Sequence, residues 1–579
     1  MKAQMWRRKC WRRKCGLISY QFEMIGQMTS VFIDGKVGET AELSSSFSVF
    51  TVDRNWAARF VRVPRRRNAE RHFLFVISFT CSLGGLLFGY NTGVINGAVS
   101  FIEADLQLRP SMVGLVTGSL LVGAAFGAFF GGHFSDRFGR YKVTFVNAFM
   151  FIFGTLLSAL APSFEVMLFS RVLLGLAVGC ASATVPVFLA ELAPSEKRGQ
   201  MVTRNELMCV TGQLIAFLSN AILGNVWADN LHIWRWMLVL AIVPAFVLLF
   251  GTWAFVPESP RWLMASNRHN EAFQVLKSIR TNEEQAKAEL EEVQQLIDED
   301  RKLHQNETIS QIISEKWARQ CLFIGLGTAL CQQVTGVNAI MFYGTEILQK
   351  SGMSNKAALI ANISNGVVSL LATFVGIWLL SRSCRRPMLM WAQFGTIIIH
   401  LIIAFCNLFM HEGFLKGTVI LTLCVVFLAF QQGSISPVTW LILAEIFPLR
   451  IRGIGISLTT FVLWLMMSFI GILFPILAES VGVSATFFAF SAFNVFALLF
   501  SIFWLPETLG KSLEELEKEF KSEDWEKLKR AGDFNFDENG SDQSDGPKDA
   551  PLRYGSDRER TELGKCAENR TANGRRSDE

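Results

Sequence analysis

Twelve apolar runs, each long enough to cross a bilayer as a helix, occupy the chain between residues 73 and 505. They fall at 73–98, 113–132, 143–161, 166–190, 201–224 and 237–256, then at 321–346, 357–380, 388–408, 418–443, 454–477 and 484–505. A helix rises about 1.5 Å per residue, so about twenty apolar residues cover a hydrocarbon core of about 30 Å. Of 579 residues, 51% are hydrophobic, more than a soluble domain can hide. The 50 Phe against 5 Tyr suit helices that need bulk facing lipid without hydroxyls. We therefore expect an all-α polytopic membrane protein with twelve transmembrane helices in two six-helix bundles.

The interval 257–320 separates the two sets of six. It opens PESPRWL and continues EAFQVLKSIR and EEQAKAELEEVQQLIDEDRK, with apolar residues at helical spacing among charges. That pattern predicts amphipathic helices in water, a linker between the bundles. Basic residues crowd the loops after spans 2, 4, 8 and 10: Arg137, Arg140 and Lys142; Lys197 and Arg198; Arg382, Arg385 and Arg386; Arg450 and Arg452. The opposite loops offer Arg109, Lys350, Lys356 and Lys416. The positive-inside rule then places both termini and the linker in the cytoplasm of a multi-pass plasma-membrane protein. The expected organisation is a basic, disordered extension at 1–71, a bundle at 72–256, the linker at 257–320, a second bundle at 321–505, and a cytoplasmic tail at 506–579, disordered after 531. The extension begins with tandem WRRKC segments, read either as a polybasic anchor acylated on Cys10 and Cys15 or as a dispensable tail. The eleven cysteines show no CxxC or metal-ligand spacing and read as small packing residues.

Three signatures occur twice. GGHFSDRFGRYK (131–142) has a degraded partner in LSRSCRRPM (380–388); ELAPSEKRG (191–199) matches EIFPLRIRG (445–453); PESPRW (257–262) matches PETLGKS (506–512). Arg140 to Arg385, Glu191 to Glu445 and Pro257 to Pro506 give offsets of 245, 254 and 249 residues. One period near 250 at equivalent loop positions is the mark of duplicated six-span halves, a construction shared by many secondary transporters. Carboxylates and guanidiniums at these span ends can pair across the bundle boundary and hold that side shut. On this ground Asp136, Arg137, Arg140, Glu191, Arg198, Arg385, Glu445 and Arg452 are candidate gating residues.

Polar side chains at membrane depth are costly unless they find a partner or line a cavity. Span 7 holds the densest set, Gln332, Gln333 and Asn338 in CQQVTGVNAIMFYG. Gln332 lies roughly 18 Å into its span, close to the midplane. Span 5 adds Glu206 and Gln213 on one face, and span 10 adds Trp440 after a proline. Amides and a carboxylate meet hydroxyls, and an indole offers a flat face to a ring, a combination that suits a neutral polyhydroxylated substrate. Asn362, Ser364 and Ser457 read instead as helix–helix hydrogen bonds. Arg171 and Asn91 lie at compatible depths in spans 4 and 1, where Asn can offer only a neutral hydrogen bond.

With these stretches on the page, residues 73–520 resemble the sugar porters of the major facilitator superfamily. GGHFSDRFGR, PESPRW, QQVTGVN and the paired E-x6-R-G carry the resemblance. RNELMCVTGQLIAF, LLATFVGIWLL and FLAFQQGSISPVTWLILAEIFPLRIRG are most similar to bacterial myo-inositol transporters within that family. The resemblance implies that Gln213, Gln332, Gln333, Asn338 and Trp440 contact substrate. It also implies that Glu191, Arg198, Glu445 and Arg452 latch with Asp136, Arg140 and Arg385. Three positions depart from the pattern: Asn91 stands where proton-coupled members carry Asp, LSRSCRR lacks the acid and Gly of its motif, and Leu509 stands where a basic residue is common. Glu206 stands where glucose-type members usually carry Gln, so Asn91, Arg171 and Glu206 are the residues that bear on coupling.

The expectation is a carrier of a sugar or polyol, myo-inositol first, working by alternating access in the lipid bilayer, with protons as a candidate co-substrate. The alternatives are a facilitative hexose uniporter and a non-transporting nutrient sensor on the same fold. No Walker motif, phosphate loop or metal set is present in the sequence, so we expect no cofactor, no ATP drive, no enzyme chemistry and no nucleic-acid partner.

Overall fold

A backbone that crosses lipid must satisfy its own N–H and C=O groups, and the twelve runs do so as helices. The computed structural model describes residues 67–194, 198–280, 283–304, 315–380, 382–447, 451–509, 511 and 513–522. The readings of the basic extension, of Cys10 and Cys15, and of the tail after 522 lie outside the described residues, as does the side chain of Arg198. The first six spans are Arg67–Leu106, Pro110–Phe138, Arg140–Ala159, Phe164–Leu192, Arg198–Val226 and the two-piece Ile233–Val239 and Ile242–Phe255. Among the described residues of the linker, three helices follow, Pro260–Ala265, His269–Ile279 and Glu283–His304. Spans 8, 9, 11 and 12 are Asn355–Leu380, Arg385–Phe409, Arg452–Ser480 and Gly482–Phe503, and a tail helix runs Leu513–Ser522.

Spans 7 and 10 are irregular. Among the described residues eleven helices are long and apolar enough to cross a membrane, and span 7 is not among them because it is broken. It starts at Lys316 rather than 321, stops at Gln333 and resumes as Val337–Lys350. Gly336 makes the break, with φ 78° in the left-handed region that a side chain disfavours. Span 10 runs Phe414–Phe430, passes through a π-helical turn at Gln431–Ile435 and ends as Ser436–Glu445. That turn is held by Ser434 donating to the Met388 carbonyl (2.9 Å) and by Gly433 lying against Gly376 of span 8.

Packing within each half relies on close backbone approach, because lipid gives helices little hydrophobic reason to associate. Spans 2 and 4 meet through Gly123, Gly127, Gly175 and Gly179; a Cβ added at Gly175 would lie 1.9 Å from the Leu120 carbonyl oxygen. Spans 1 and 5 meet in the same way, and a Cβ at Gly89 would lie 1.8 Å from the Cys209 carbonyl oxygen. Outward faces carry the large apolar residues, such as Trp391 and Phe409.

The linker is bonded to the ends of spans 2, 3 and 4. Trp262 donates its indole N–H to the Asp136 carbonyl (2.7 Å), and Arg280 reaches the carbonyls of Leu192 and Ala193 while pairing with Glu289 at 2.6 Å. We call this the linker end of the bundle. The tail helix packs Leu516 and Phe520 into a core that contains Trp317 of span 7.

The two halves are stitched at the far end from the linker. Asn96 of span 1 donates to the carbonyls of Met341 (2.7 Å) and Ile340 (3.3 Å) and accepts from the Thr345 N–H (3.0 Å) and hydroxyl (2.6 Å). Ser468 of span 11 donates to the Gly118 carbonyl of span 2 at 2.8 Å. Every hydrogen bond that joins the halves among the described residues lies in this outer seam.

Candidate functional site

A cavity of about 190 Å³ lies between the halves, on the linker side of the seam. Thr92, Met341 and Trp464 belong to its wall, and Asn96, Thr345 and Ser468 stand one helical turn beyond them in the same three spans. The seam therefore closes the cavity on the side away from the linker.

All six residues expected to meet substrate share this wall: Glu206 and Gln213 from span 5, Gln332, Gln333 and Asn338 from span 7, and Trp440 from span 10. The break in span 7 explains how one span supplies three of them, since Gln332 and Gln333 end its first half and Asn338 opens its second. Asn338 donates to the Gln333 amide oxygen (2.6 Å), and Gln332 donates to the Ser436 hydroxyl (3.4 Å). The amide oxygens of Asn205, Gln213, Gln332 and Gln431 are buried without a hydrogen-bond partner. Polar groups left that way inside a protein cost about 1–3 kcal/mol each, so the wall is built to receive donors. Indole faces come from Trp440 and Trp464, and Phe88 packs edge-on to Trp464 with centroids 5.1 Å apart.

Asn205, Gln431, Gln432, Ser436 and Trp464 also line the cavity and were not singled out in the sequence. The doublet Gln431–Gln432 in FLAFQQGSIS is as conspicuous inside its apolar run as Gln332–Gln333 and could have been found the same way.

Asn91 and Arg171 are placed differently. Neither lines the cavity. Asn91 donates to the Leu87 carbonyl (2.9 Å) within its own helix, and the fully buried Arg171 guanidinium finds no hydrogen-bond partner among the described residues. The neutral Asn91–Arg171 bond expected from their depths is absent because the short amide side chain is used locally.

At the linker end the charged residues pair within each half rather than across the boundary. Arg140 binds Glu191 (3.0 Å) and Asp136 (2.8 Å), and Arg385 stands 3.7 Å from Glu445. Arg452 donates to the Ala444 carbonyl (3.3 Å), and Arg137 lies 5.5 Å over the Phe138 ring. Cross-boundary pairs require the linker ends of the halves to meet, and here the hydrogen bonds that join the halves among the described residues lie at the other end.

The repeated PE motif has a role that the sequence did not reveal. Glu258 Oε1 accepts the N–H groups of Arg140 (2.8 Å), Tyr141 (3.1 Å) and Ser259 (2.9 Å), capping span 3. Its counterpart Glu507 accepts the N–H groups of Arg385 (3.0 Å) and Arg386 (3.1 Å), capping span 9. Desolvation pushes the Glu258 carboxyl above its ordinary value, and the backbone donors pull it part of the way back. The signal was an acid at the same place in both copies of the repeat.

Twelve spans in two related halves around one central polar cavity define a membrane transporter rather than an enzyme. The chain belongs to the sugar (and other) transporter family, whose model matches residues 77–520. It is 50% identical over 461 residues to the major myo-inositol transporter IolT of Bacillus subtilis (strain 168), covering 79% of this chain and 97% of that one. The galactose-proton symporter of Escherichia coli (strain K12) is 34% identical over 466 residues, covering 78% and 96%. Among solved structures, the partially occluded inward open conformation of the xylose transporter XylE from E. coli superposes with a TM-score of 0.66. It is 27% identical and covers 76% of this chain and 100% of that one.

Proposed function

We propose that the protein carries a neutral cyclic polyol, myo-inositol before any hexose, across the plasma membrane by alternating access. The observation that carries this is the cavity wall, where four buried amide oxygens lack donors beside two indole faces. A ring bearing a hydroxyl on every carbon supplies donors in several directions and an apolar face between them. Similarity to a myo-inositol transporter supports the choice among polyols. The charge bias of the loops makes the linker end cytoplasmic, so the sealed seam faces outward and the cavity is reached from inside. In the opposite state the seam parts and the linker ends close, with Asp136, Arg137, Arg140, Glu191, Arg198, Arg385, Glu445 and Arg452 forming the inner latch.

Coupling to protons falls to Glu206. It is the acid among the cavity-lining residues, whereas Asn91 cannot ionise and Arg171 has no acid bonded to it among the described residues. Charge on Glu206 is costly at that depth, and a proton or a substrate hydroxyl offsets it. Uniport is the second reading, favoured by Asn91. The test is uptake of labelled myo-inositol into vesicles containing the purified protein, with and without an imposed pH gradient, in wild type and Glu206→Gln. Accumulation that is lost in Glu206→Gln is expected. Accumulation that survives would exclude Glu206 as the coupling group, none in wild type would leave a uniporter, and no uptake of any polyol or sugar would favour a sensor.

A further inference from the structure

A second concave site lies outside the substrate cavity, at the linker end between spans 7 and 12. Lys316, Arg319, Gln320 and Phe323 recur at helical spacing along one face of the first half of span 7. Together with Trp504, just past the end of span 12, they line a groove of about 420 Å³ that shares no residue with the substrate cavity. The groove is graded. Lys316 and Arg319 bring two cations to its mouth. Its floor is aromatic, with Phe323 edge-on to Trp504 at 6.1 Å and Phe500 stacked on Trp504 at 5.7 Å.

Phe323 is 51% exposed and Trp504 42% exposed, and apolar surface continues toward the bilayer through Leu330 and Phe503. Glu315, the one acid in residues 315–323, accepts the indole N–H of the buried Trp317. Lys521 of the tail helix lies 5.2 Å from the Trp317 ring.

Cations above aromatic rings, at the depth where a span leaves the membrane, match a phosphate group above an acyl chain. A guanidinium and an ammonium also form stronger, shorter hydrogen bonds to phosphate oxygens than neutral donors do. We propose that this groove binds an anionic phospholipid of the leaflet at the linker end, with its phosphate on Lys316 and Arg319 and its acyl chain across Phe323 and Trp504. The head then sits on the first turn of the broken helix, and the chain lies between that helix and Trp504 at the end of span 12.

The test is native mass spectrometry of the purified full chain titrated with phosphatidylglycerol, with phosphatidylethanolamine, and with phosphatidylglycerol in the presence of inorganic phosphate. Wild type should retain phosphatidylglycerol in preference to phosphatidylethanolamine. The Lys316→Gln, Arg319→Gln double variant should bind it roughly thirty-fold more weakly, about fivefold for each cation. Phosphatidylglycerol with a photoreactive acyl chain, applied to the unaltered chain, should label peptides containing Phe323 or Trp504, which decides the matter even where the double variant does not fold. Equal retention of the two lipids, unchanged affinity in a folded double variant, or labelling confined to other spans would overturn the proposal. Displacement of the lipid by inorganic phosphate would assign the cations to a free anion and overturn it equally.

Discussion

The outer seam rests heavily on one side chain, and Asn96→Ala should open it. Asn96 makes four hydrogen bonds across the boundary, at 2.6, 2.7, 3.0 and 3.3 Å, and is itself buried. Its partner Thr345 also receives the Asn362 amide (2.8 Å), which accepts in turn from Asn365 (2.8 Å), so the bond set ties spans 1, 7 and 8 together. Removing the amide leaves the Thr345 N–H unpaired in the closed seam, whereas opening the seam returns it to water. The closed state therefore loses about 1–3 kcal/mol relative to the open one. At about 1.4 kcal/mol per decade, the equilibrium moves roughly 5- to 150-fold toward the outward-open state. Cys209, in the cavity wall, is a native reporter. A membrane-impermeant maleimide applied from outside should label it faster by a similar factor in Asn96→Ala, with Cys209→Ala as the background control. Unchanged labelling in a variant that folds, and that still binds substrate, would show that the seam does not hold the outer side shut.

Three further outcomes follow from the geometry. Gln332→Ala and Trp440→Ala should each raise the half-saturation concentration for myo-inositol uptake, the first by roughly 5- to 150-fold for a lost buried hydrogen bond of about 1–3 kcal/mol, and if both leave it unchanged the site is misplaced. Because burial raises the Glu258 carboxyl, the folded chain holds that proton more tightly than the unfolded one; the stability this gives is complete below the unfolded value of about 4.3 and fades as pH rises through the folded one. Melting temperature in micelles should therefore lose that part of its pH dependence in Glu258→Gln, which keeps the accepting oxygen, whereas Glu258→Ala should melt several degrees lower at every pH. Gly336→Ala should destabilise more than Gly482→Ala: both sit at positive φ (78° and 86°), at about 1–2 kcal/mol each, but only at 336 would the new Cβ press on Phe490, at 2.9 Å. Equal melting shifts would mean that Phe490 yields freely.

The spans were legible because the bilayer demands a fixed length of apolar helix, and a length is easily read from a sequence. Gln332, Gln333 and Asn338 were legible because amides inside an apolar run need a reason to be there. What stayed hidden depends on contacts between distant segments. The π turn at Gln431–Ile435 is fixed by the register of span 10 against Gly376 and Met388, which no local pattern encodes. Glu258 and Glu507 lay in plain view, but capping spans 3 and 9 is a matter of which helix ends come near them. The local use of Asn91 was hidden for a different reason. Depth says which side chains share a layer, and the direction of each side chain decides whether they meet.

The broken span also bears on how the protein is made. Neither half of span 7 resembles an autonomous membrane segment: the first is 18 residues with Lys316, Arg319, Gln332 and Gln333, and the second is 14 residues long. A ribosome delivers the first six spans beforehand, and with them Asn96, whose amide receives and is received by the second half of span 7. The earlier half of the chain should then act as a template for the insertion of the later one. A glycosylation tag placed beyond Lys350 should report correct insertion when the first six spans are synthesised ahead of it, and fail to do so when they are deleted.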